Sequence, residues 1–459
     1  MLKIEKITKR VLEKVKPTKE EILAEKEMAR KIITKIKSIE GKHIDVIVAG
    51  SSARGTHLRG DRDIDIFVLF PENTENDVFV QEGLRIGKMV FRGHEWEEAY
   101  SQHPYIRGNI SGFDIEIVPS YKISKTEMLK SAVDRTPFHM EYLERKFKEK
   151  QRDEVRILRQ FFKGIGCYGA DLKYSSVPGY VIELLIVKYG NFENALKAIS
   201  EWKDKEVIDL ENYHLPEDAV KKFNWHLIVV DPVDRNRNVA AALSLNQYSR
   251  IIAAARAFLK KPSINFFLPK KCRILEAKKL SSIVKKKELI ALQIAYPQGI
   301  LPDIVWGQIK RIANKIATEM HQVGFAINRY EAWTDEKENM FVVFELEATK
   351  LQKSLKRIGP LVTDSENSSR FLGAHKKLIA GPRIENGRWV LEITRKHYDA
   401  FEFLHGMIKK LRVSEKTDIR KALRKKAFIL REAQIVSEFK KNREFAEFLS
   451  KYLRGKEAF

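Results

Sequence analysis

Apolar residues recur every three or four positions through residues 4–39, and Pro17 interrupts the period. This predicts two basic amphipathic helices. The period then shifts to two. HIDVIVAG (43–50) reads as a strand ending at a glycine, SSARGTHLRG as a loop with a short helix, and DIDIFVLF (63–70) as a second strand. KMVFRGHEWEEAY (88–100) and GFDIEIVPSY (112–121) supply at least two more strands. Strands with helices around them predict an α+β domain over 1–150. From 152 the pattern is helical, in DEVRILRQFFKGIG, GYVIELLIVKYGNFENALKAISEW and VAAALSLNQYSRIIAAARAFLKK, so 151–262 reads as a helical middle domain ending at Pro262. Strand patterns return in KELIALQIAY (287–296), MFVVFELEA (340–348) and RWVLEIT (388–394), with a long helix over 302–323. A β-α-β-type third domain over 263–459 follows, with a basic helical tail at 415–455. No internal repeat or low-complexity segment interrupts this order.

Composition narrows the partners. A chain of 459 residues with 44% apolar content is a soluble multidomain protein with real cores. A net charge of +23 is unusual. It favours a polyanion, nucleic acid above all, because so large an excess concentrates polyanions near the surface. The basic residues are spread along the chain rather than gathered in one amphipathic helix, which disfavours a membrane surface. Cys167 and Cys272 are the only cysteines and neither has a CxxC companion. This disfavours a structural zinc site and a disulfide framework, and a reducing cytoplasm fits. The N-terminal MLKIEKITKRVLEKVKPTKEE has no apolar core of a signal peptide. No apolar run approaches the roughly 18 residues that span a bilayer.

The candidate chemistry begins on the second strand. Asp63 and Asp65 are two apart, so both carboxylates leave one face while Ile64 and Ile66 enter the core. Like charges so placed repel unless a cation sits between them. Oxygen ligands suit Mg²⁺, which takes one or two carboxylates together with substrate phosphates. Two such ions about 4 Å apart stabilise both oxygens of a phosphoryl displacement. A lone D-x-D is more often a solvated strand end. Here it follows Gly50-Ser51 by about twelve residues. The glycine permits close backbone approach, Ser51 offers a hydroxyl and an N–H near a helix start, and Arg54 adds a charge. In FDIEIVPSY, Asp114 and Glu116 share a strand face. One of them completes the metal set or acts as base, and the pattern does not choose between them.

Two other motifs lead nowhere. Gly164-x-Gly166-x-x-Gly169 follows a helix rather than a strand, so it reads as a helix C-terminal turn instead of a dinucleotide loop. Asp61, Asp63, Asp65 and Glu72 match an EF-hand spacing, but Ile66 occupies its glycine position within an apolar run. No Walker A sequence occurs.

The ordered set GSSARGTHLRGDRDIDIFVLFP, QHPYIRG, FDIEIVPSY, SAVDRTPFHMEYL, GYVIELLIVKYG, VVDPVDRNRNVAAALS and AGPRIENGRW resembles the archaeal-type (class I) CCA-adding enzymes, tRNA nucleotidyltransferases. The resemblance runs from about residue 45 to 395. It implies a polymerase β-like nucleotidyltransferase head with a mixed sheet, a helical neck, and an α+β RNA-binding body with a helical tail. It implies template-independent addition of C, C and A to the tRNA 3′ end from CTP and ATP, with release of pyrophosphate and repair of incomplete ends. By the same resemblance, Asp63, Asp65 and Glu116 match the carboxylates of a two-Mg²⁺ site, and Ser51, Arg54, Thr136 and His139 match triphosphate contacts. Arg159 stands where the family has a phosphate-binding lysine, Tyr168 matches a further nucleotide contact, and Arg237 matches an arginine near the base that helps select C and A. Glu116 departs from the family, which has Asp there. The extra methylene must fold back or displace a metal. A homodimer is expected by resemblance alone. The rival readings are a poly(A) polymerase-like nucleotidyltransferase and a non-catalytic RNA-binding paralogue. The presence of both Asp63 and Asp65 argues against the paralogue.

The charge then has a use. FLKKPSINFFLPKKCR (258–273), KKLSSIVKKKE (278–288), HKKLIAGPR (375–383) and RKALRKKAFILR (420–431) lie mostly in the C-terminal half. Together they suit a grip on A-form RNA through its backbone and shape.

Overall fold

The computed structural model describes residues 2–40, 44–100, 103–268, 273–414 and 417–456. The chain divides into two compact units, over residues 1–271 and 272–456.

In the first unit, α1 (Leu2–Val15) and α2 (Lys19–Glu40) are separated at Pro17. Thr18 restarts the helix with a reciprocal cap. Its hydroxyl accepts the Glu21 N–H at 3.2 Å, and the Glu21 carboxylate accepts the Thr18 N–H at 2.6 Å. Five strands follow: β1 (Asp45–Ala49), β2 (Asp63–Pro71), β3 (Trp96–Tyr100), β4 (Pro104–Ile110) and β5 (Phe113–Lys122). They form one sheet in the order β1-β2-β5-β4-β3. The β2–β5 pair is parallel and the others antiparallel, giving the expected mixed sheet. A single-turn helix, α3 (Gly50–Ala53), follows β1, and α4 (Asn76–Val90) follows β2.

Helices α2 and α4 cover one face of this sheet. Ile32, Ile36, Phe79, Ile86 and Val90 pack there on Ile64, Ile66, Ile115 and Ile117. Each such buried side chain contributes about 1.5–3 kcal/mol. The packing fixes the strand register, because a one-residue slip would bury Asp63 and Asp65 and expose Ile64 and Ile66.

The stretch 88–100 differs from its expected form. Residues 88–90 complete α4, and the strand begins only at Trp96. Gly83 and Gly87 weaken the helical signal in the sequence. In the fold they let α4 approach the sheet: a Cβ at Gly87 would lie 2.6 Å from Ile106, and one at Gly83 would lie 2.7 Å from Pro119.

The rest of this unit is mainly helical: α5 (Thr136–Lys146), α6 (Gln151–Gly164), α7 (Gly179–Tyr189), α8 (Phe192–Ser200), α9 (Pro216–Phe223) and α10 (Leu245–Lys260). Phe161, Phe162, Phe192, Phe258 and Phe267 centre its core. Two details correct the sequence reading. VAAALS is not helical, since α10 starts at Leu245 with Ser244 as its N-cap. A small sheet of β6 (Glu206–Ile208), β7 (Leu227–Asp231) and β8 (Asp234–Asn238) also interrupts the helices. All of β7 is buried, so its LIVVD run shows no alternation. After α6, Gly166 has φ +73°, in keeping with a helix-ending turn. Cys167 is buried, with its Sγ 3.2 Å from Gln247 Oε1, and Cys272 lies outside the described residues.

The second unit contains α11 (Ala277–Lys286), β9 (Leu289–Ala295), α12 (Pro302–Gln322), β10 (Ile327–Thr334), β11 (Asn339–Leu346), β12 (Ser354–Leu361), α13 (Ser365–Ala374), β13 (Ala380–Glu385), β14 (Arg388–Thr394), α14 (Ala400–Ser414), α15 (Ile419–Lys425), β15 (Ala427–Leu430), α16 (Glu432–Lys441) and α17 (Arg443–Arg454). Its larger sheet has the order β10-β11-β9-β15 with antiparallel neighbours. The two strands flanking α12 therefore run parallel with β11 between them, a split form of the expected β-α-β unit. The half-exposed β10 escaped the sequence reading, and the basic tail contributes a strand, β15, as well as helices. A smaller sheet has the order β12-β14-β13.

Candidate active site

The sheet register assembles the carboxylates. β2 pairs with β5 so that Asp65 faces Glu116 and Asp63 faces Asp114. The same row continues to Arg107 on β4 and Glu97 on β3. Arg107 donates to Glu97 at 2.6 Å. Asp114 is exposed and accepts from Asn109 Nδ2 at 2.8 Å, whereas Glu116 is partly buried beside Tyr105. Burial, and then the Asp65 charge, push the Glu116 carboxyl up to about 7. Burial and the neighbouring Asp63 also hold Asp65 above its ordinary range.

The turn after β1 closes on these carboxylates. Gly50 has φ +72°, and a Cβ there would fall 1.8 Å from Asp65 Oδ2. Only glycine allows this conformation and this approach together. The following segment, 54–61, is held by one face of α6. Arg152 donates to the Arg54 carbonyl at 3.0 Å, Arg156 donates to the carbonyls of His57 and Gly55, and Lys163 pairs with Asp61 at 3.0 Å.

A cavity of about 340 Å³ is lined by Gly50, Arg54, Asp65, Tyr105, Glu116, Thr136, His139 and Tyr180, with Phe67, Val118 and Val133. Of the residues singled out in the sequence, Arg54, Asp65, Glu116, Thr136 and His139 thus meet in one space. Asp63 lies on the same face of β2, and Ser51 lies in the adjacent turn of α3.

Arg159, Tyr168 and Arg237 do not line that cavity. Arg159 is buried at 2% exposure, with its guanidinium 3.8 Å from Glu183 and 5.7 Å from the Tyr168 ring. Glu183 is fully buried. It also accepts from Arg54 Nε at 3.0 Å and from the Thr56 hydroxyl at 2.5 Å. Arg237 donates to Asp231 Oδ2 at 2.9 Å, and the same oxygen accepts from His139 Nε2 at 2.9 Å. A carboxylate only accepts, so Nε2 carries the His139 hydrogen. Burial is the largest single influence and pushes Asp231 up, but the hydrogen bonds from His139 and the Val233 N–H, with the His139 and Arg237 charges, together outweigh it and hold the group below its ordinary range. Burial likewise holds the His139 imidazole below its ordinary range.

Glu183 and Asp231 were missed as site residues. The available signal was a single acid within the apolar run GYVIELLIVKY and another at the end of LIVVD. A charge in such a run is costly to bury without partners.

Among the described residues, no three His, Cys, Asp or Glu groups hold a metal ion by themselves. The donors at hand are carboxylate oxygens sharing one face, with Asp65 and Glu116 repelling each other. That chemistry fits Mg²⁺ completed by substrate phosphates rather than an ion caged by protein alone. No helix among the described residues is long and apolar enough to cross a membrane.

Three family models match in order: a nucleotidyltransferase domain over 29–139, a tRNA nucleotidyltransferase second domain over 153–268, and a CCA-adding enzyme C-terminal domain over 286–432. The chain is 33% identical to a CCA-adding enzyme of Methanothermobacter thermautotrophicus over 406 residues, covering 87% of each chain. It is 39% identical to that of Methanococcus maripaludis, covering 80% of this chain and 84% of the relative. The CCA-adding enzyme of Archaeoglobus fulgidus is 35% identical, covering 84% of this chain and 86% of the relative.

Proposed function

Because this chain belongs to the CCA-adding enzymes, a family of tRNA nucleotidyltransferases, we propose that Asp63, Asp65 and Glu116 are the carboxylates on which it adds C, C and A to tRNA 3′ ends. The observation that carries this reading is the parallel β2–β5 register, which sets Asp65 against Glu116 beside the Gly50 turn. The substrates are CTP and ATP, and the tRNA 3′ oxygen attacks the nucleotide α-phosphorus as pyrophosphate leaves. When bound, two Mg²⁺ ions on these carboxylates supply Lewis-acid stabilisation of the attacking and leaving oxygens.

The protein's own groups do the rest. Arg54, Thr136, His139 and Ser51 bind and orient the triphosphate, and Arg159, beside the Tyr168 ring, meets the same Glu183 that accepts from Arg54. Arg237 faces the base. Residues 1–150 serve as the catalytic head, 151–262 as the nucleotide-facing helical part, and 263–459 as the tRNA-holding body and tail. The proposal extends to a cytoplasmic homodimer, by resemblance alone.

The test is incorporation of labelled CTP and ATP into tRNA lacking its CCA, in parent, Glu116→Asp and Glu116→Gln proteins. Glu116→Gln is expected to lose at least about a hundredfold in kcat, with Glu116→Asp retaining most activity. Parent protein that ignores CTP overturns the reaction, and a fully active Gln variant removes Glu116 and turns attention to Asp114.

The body supports a backbone grip on RNA. Lys278, Lys279, Lys285, Lys286, Lys376, Lys377, Lys421, Arg424, Lys425 and Lys426 are exposed, as are Lys260 and Lys261 in the first unit. Residues 269–272 of the first basic stretch lie outside the described residues. Affinity for tRNA should fall by about 10³–10⁵ between 50 and 200 mM salt, the slope for roughly six to ten phosphates neutralised. A fluorescence anisotropy titration across that range checks it, and a flat response removes the electrostatic grip.

A further inference from the structure

Outside the carboxylate face, Asp231 at the end of β7 draws partners from several elements of the first unit. It is fully buried. Its Oδ2 accepts from Arg237 Nη1 at 2.9 Å and from His139 Nε2 at 2.9 Å. Its Oδ1 accepts from His139 Nε2 at 3.1 Å and from the Val233 N–H at 3.1 Å. These partners come from separate elements. His139 is on α5, where its ring lies 4.1 Å from that of Tyr180 on α7, and both rings line the cavity that contains Asp65 and Glu116. Arg237 is on β8, with its side chain 37% exposed. One buried carboxylate therefore ties a wall of the triphosphate cavity to an accessible guanidinium.

The geometry points to Asp231 as a positioning residue for nucleotide selection, holding His139 and Arg237 in a fixed mutual placement from behind both. This rests on the reading of His139 and Arg237 as nucleotide-facing. A guanidinium on a flexible stem samples many rotamers, and a charge-assisted bond from a buried acceptor removes most of them before the base arrives. His139 gains a fixed ring orientation from the same carboxylate. Since Asp231 sits behind both side chains, it orders them without meeting the nucleotide. Its loss should weaken nucleotide binding and base choice while leaving the chemical step in place.

Asp231→Asn keeps the shape and removes the charge. In steady-state incorporation on tRNA lacking its CCA, KM for CTP should rise about tenfold or more and rejection of UTP should weaken by a similar factor, with kcat within about threefold of the parent. A purely structural defect would lower Tm and kcat without loosening base choice. In an Arg237→Ala background, Asp231→Asn should raise KM by less than it does alone, because the Asp231–Arg237 contact is already gone and only the tie to His139 is left to lose.

A KM for CTP within twofold of the parent in Asp231→Asn, or fully additive effects in the cycle, overturns the proposal. If Arg237→Ala alone leaves KM and base choice untouched, the reading of Arg237 falls, and the proposal with it. Should Asp231→Asn fail to fold, the partly exposed Arg237 offers a second route. Removing this cation in Arg237→Gln should make the His139 ring titrate at higher pH in histidine NMR, and an unmoved titration overturns the coupling.

Discussion

Asp65→Ala is expected to lower nucleotide incorporation by at least about a thousandfold, the loss that follows when preorganised electrostatic stabilisation of the reacting phosphate is removed. Asp65 faces Glu116 across the parallel strands and lines the same cavity as Arg54 and His139. The fold should tolerate the change. Burial and the Asp63 charge hold the Asp65 carboxyl above its ordinary range. A carboxyl whose pKa is raised in the folded state ionises more readily when unfolded. At neutral pH it therefore subtracts from stability, a cost that is absent below the unfolded value near 3.9 and sets in as pH rises. Asp65→Asn should accordingly raise the Tm of metal-free protein while abolishing activity. Incorporation assays on purified protein with parallel thermal melts check both parts. Persistent incorporation removes Asp65 from the metal set, and a lowered Tm contradicts the electrostatic account.

Gly50→Ala should lose about a hundredfold in kcat/KM and some stability too. Alanine in the left-handed region costs about 1–2 kcal/mol. Its Cβ would also fall 1.8 Å from Asp65 Oδ2, so either the turn or the carboxylate must move. A displacement of about 1 Å at a reacting centre is enough for a loss of that size. The measurement is CTP incorporation at saturating and limiting Mg²⁺. An alanine variant with parental kcat/KM would show that the close approach of the turn to Asp65 is not needed for activity. Pairing with Asp65→Ala gives a further check: the two losses should not add, because both act through one carboxylate.

Much of the first unit was legible in the sequence. Asp63 and Asp65 alternate with Ile64 and Ile66, so their common face follows from the pleat alone. Helix α12 and strands β9, β11 and β14 stand close to where the pattern sets them, since each carries a clean period. Helix α4 was obscured by the two glycines that let it lie close to the sheet. Strand β7 was obscured because a strand buried on both faces has no alternation to read. By resemblance Arg159 stands at a phosphate-binding position, yet it is buried against Glu183, because an acid from α7 meets it there.

The sequence by itself determined which residues share a strand face, where Gly50 breaks the backbone, how much positive charge is available for RNA, and which family the ordered motifs resemble. These are local or additive properties, and chain order is enough to define them. The tertiary structure decided that Glu116, rather than Asp114, sits opposite Asp65 inside the cavity. It also decided that Glu183 collects Arg54 and Arg159, and that Asp231 joins His139 to Arg237. Each of those facts depends on strand register or helix packing that brings distant segments together, with Asp65 and Glu116 51 residues apart, His139 and Asp231 92, and Arg54 and Glu183 129, which no local pattern encodes.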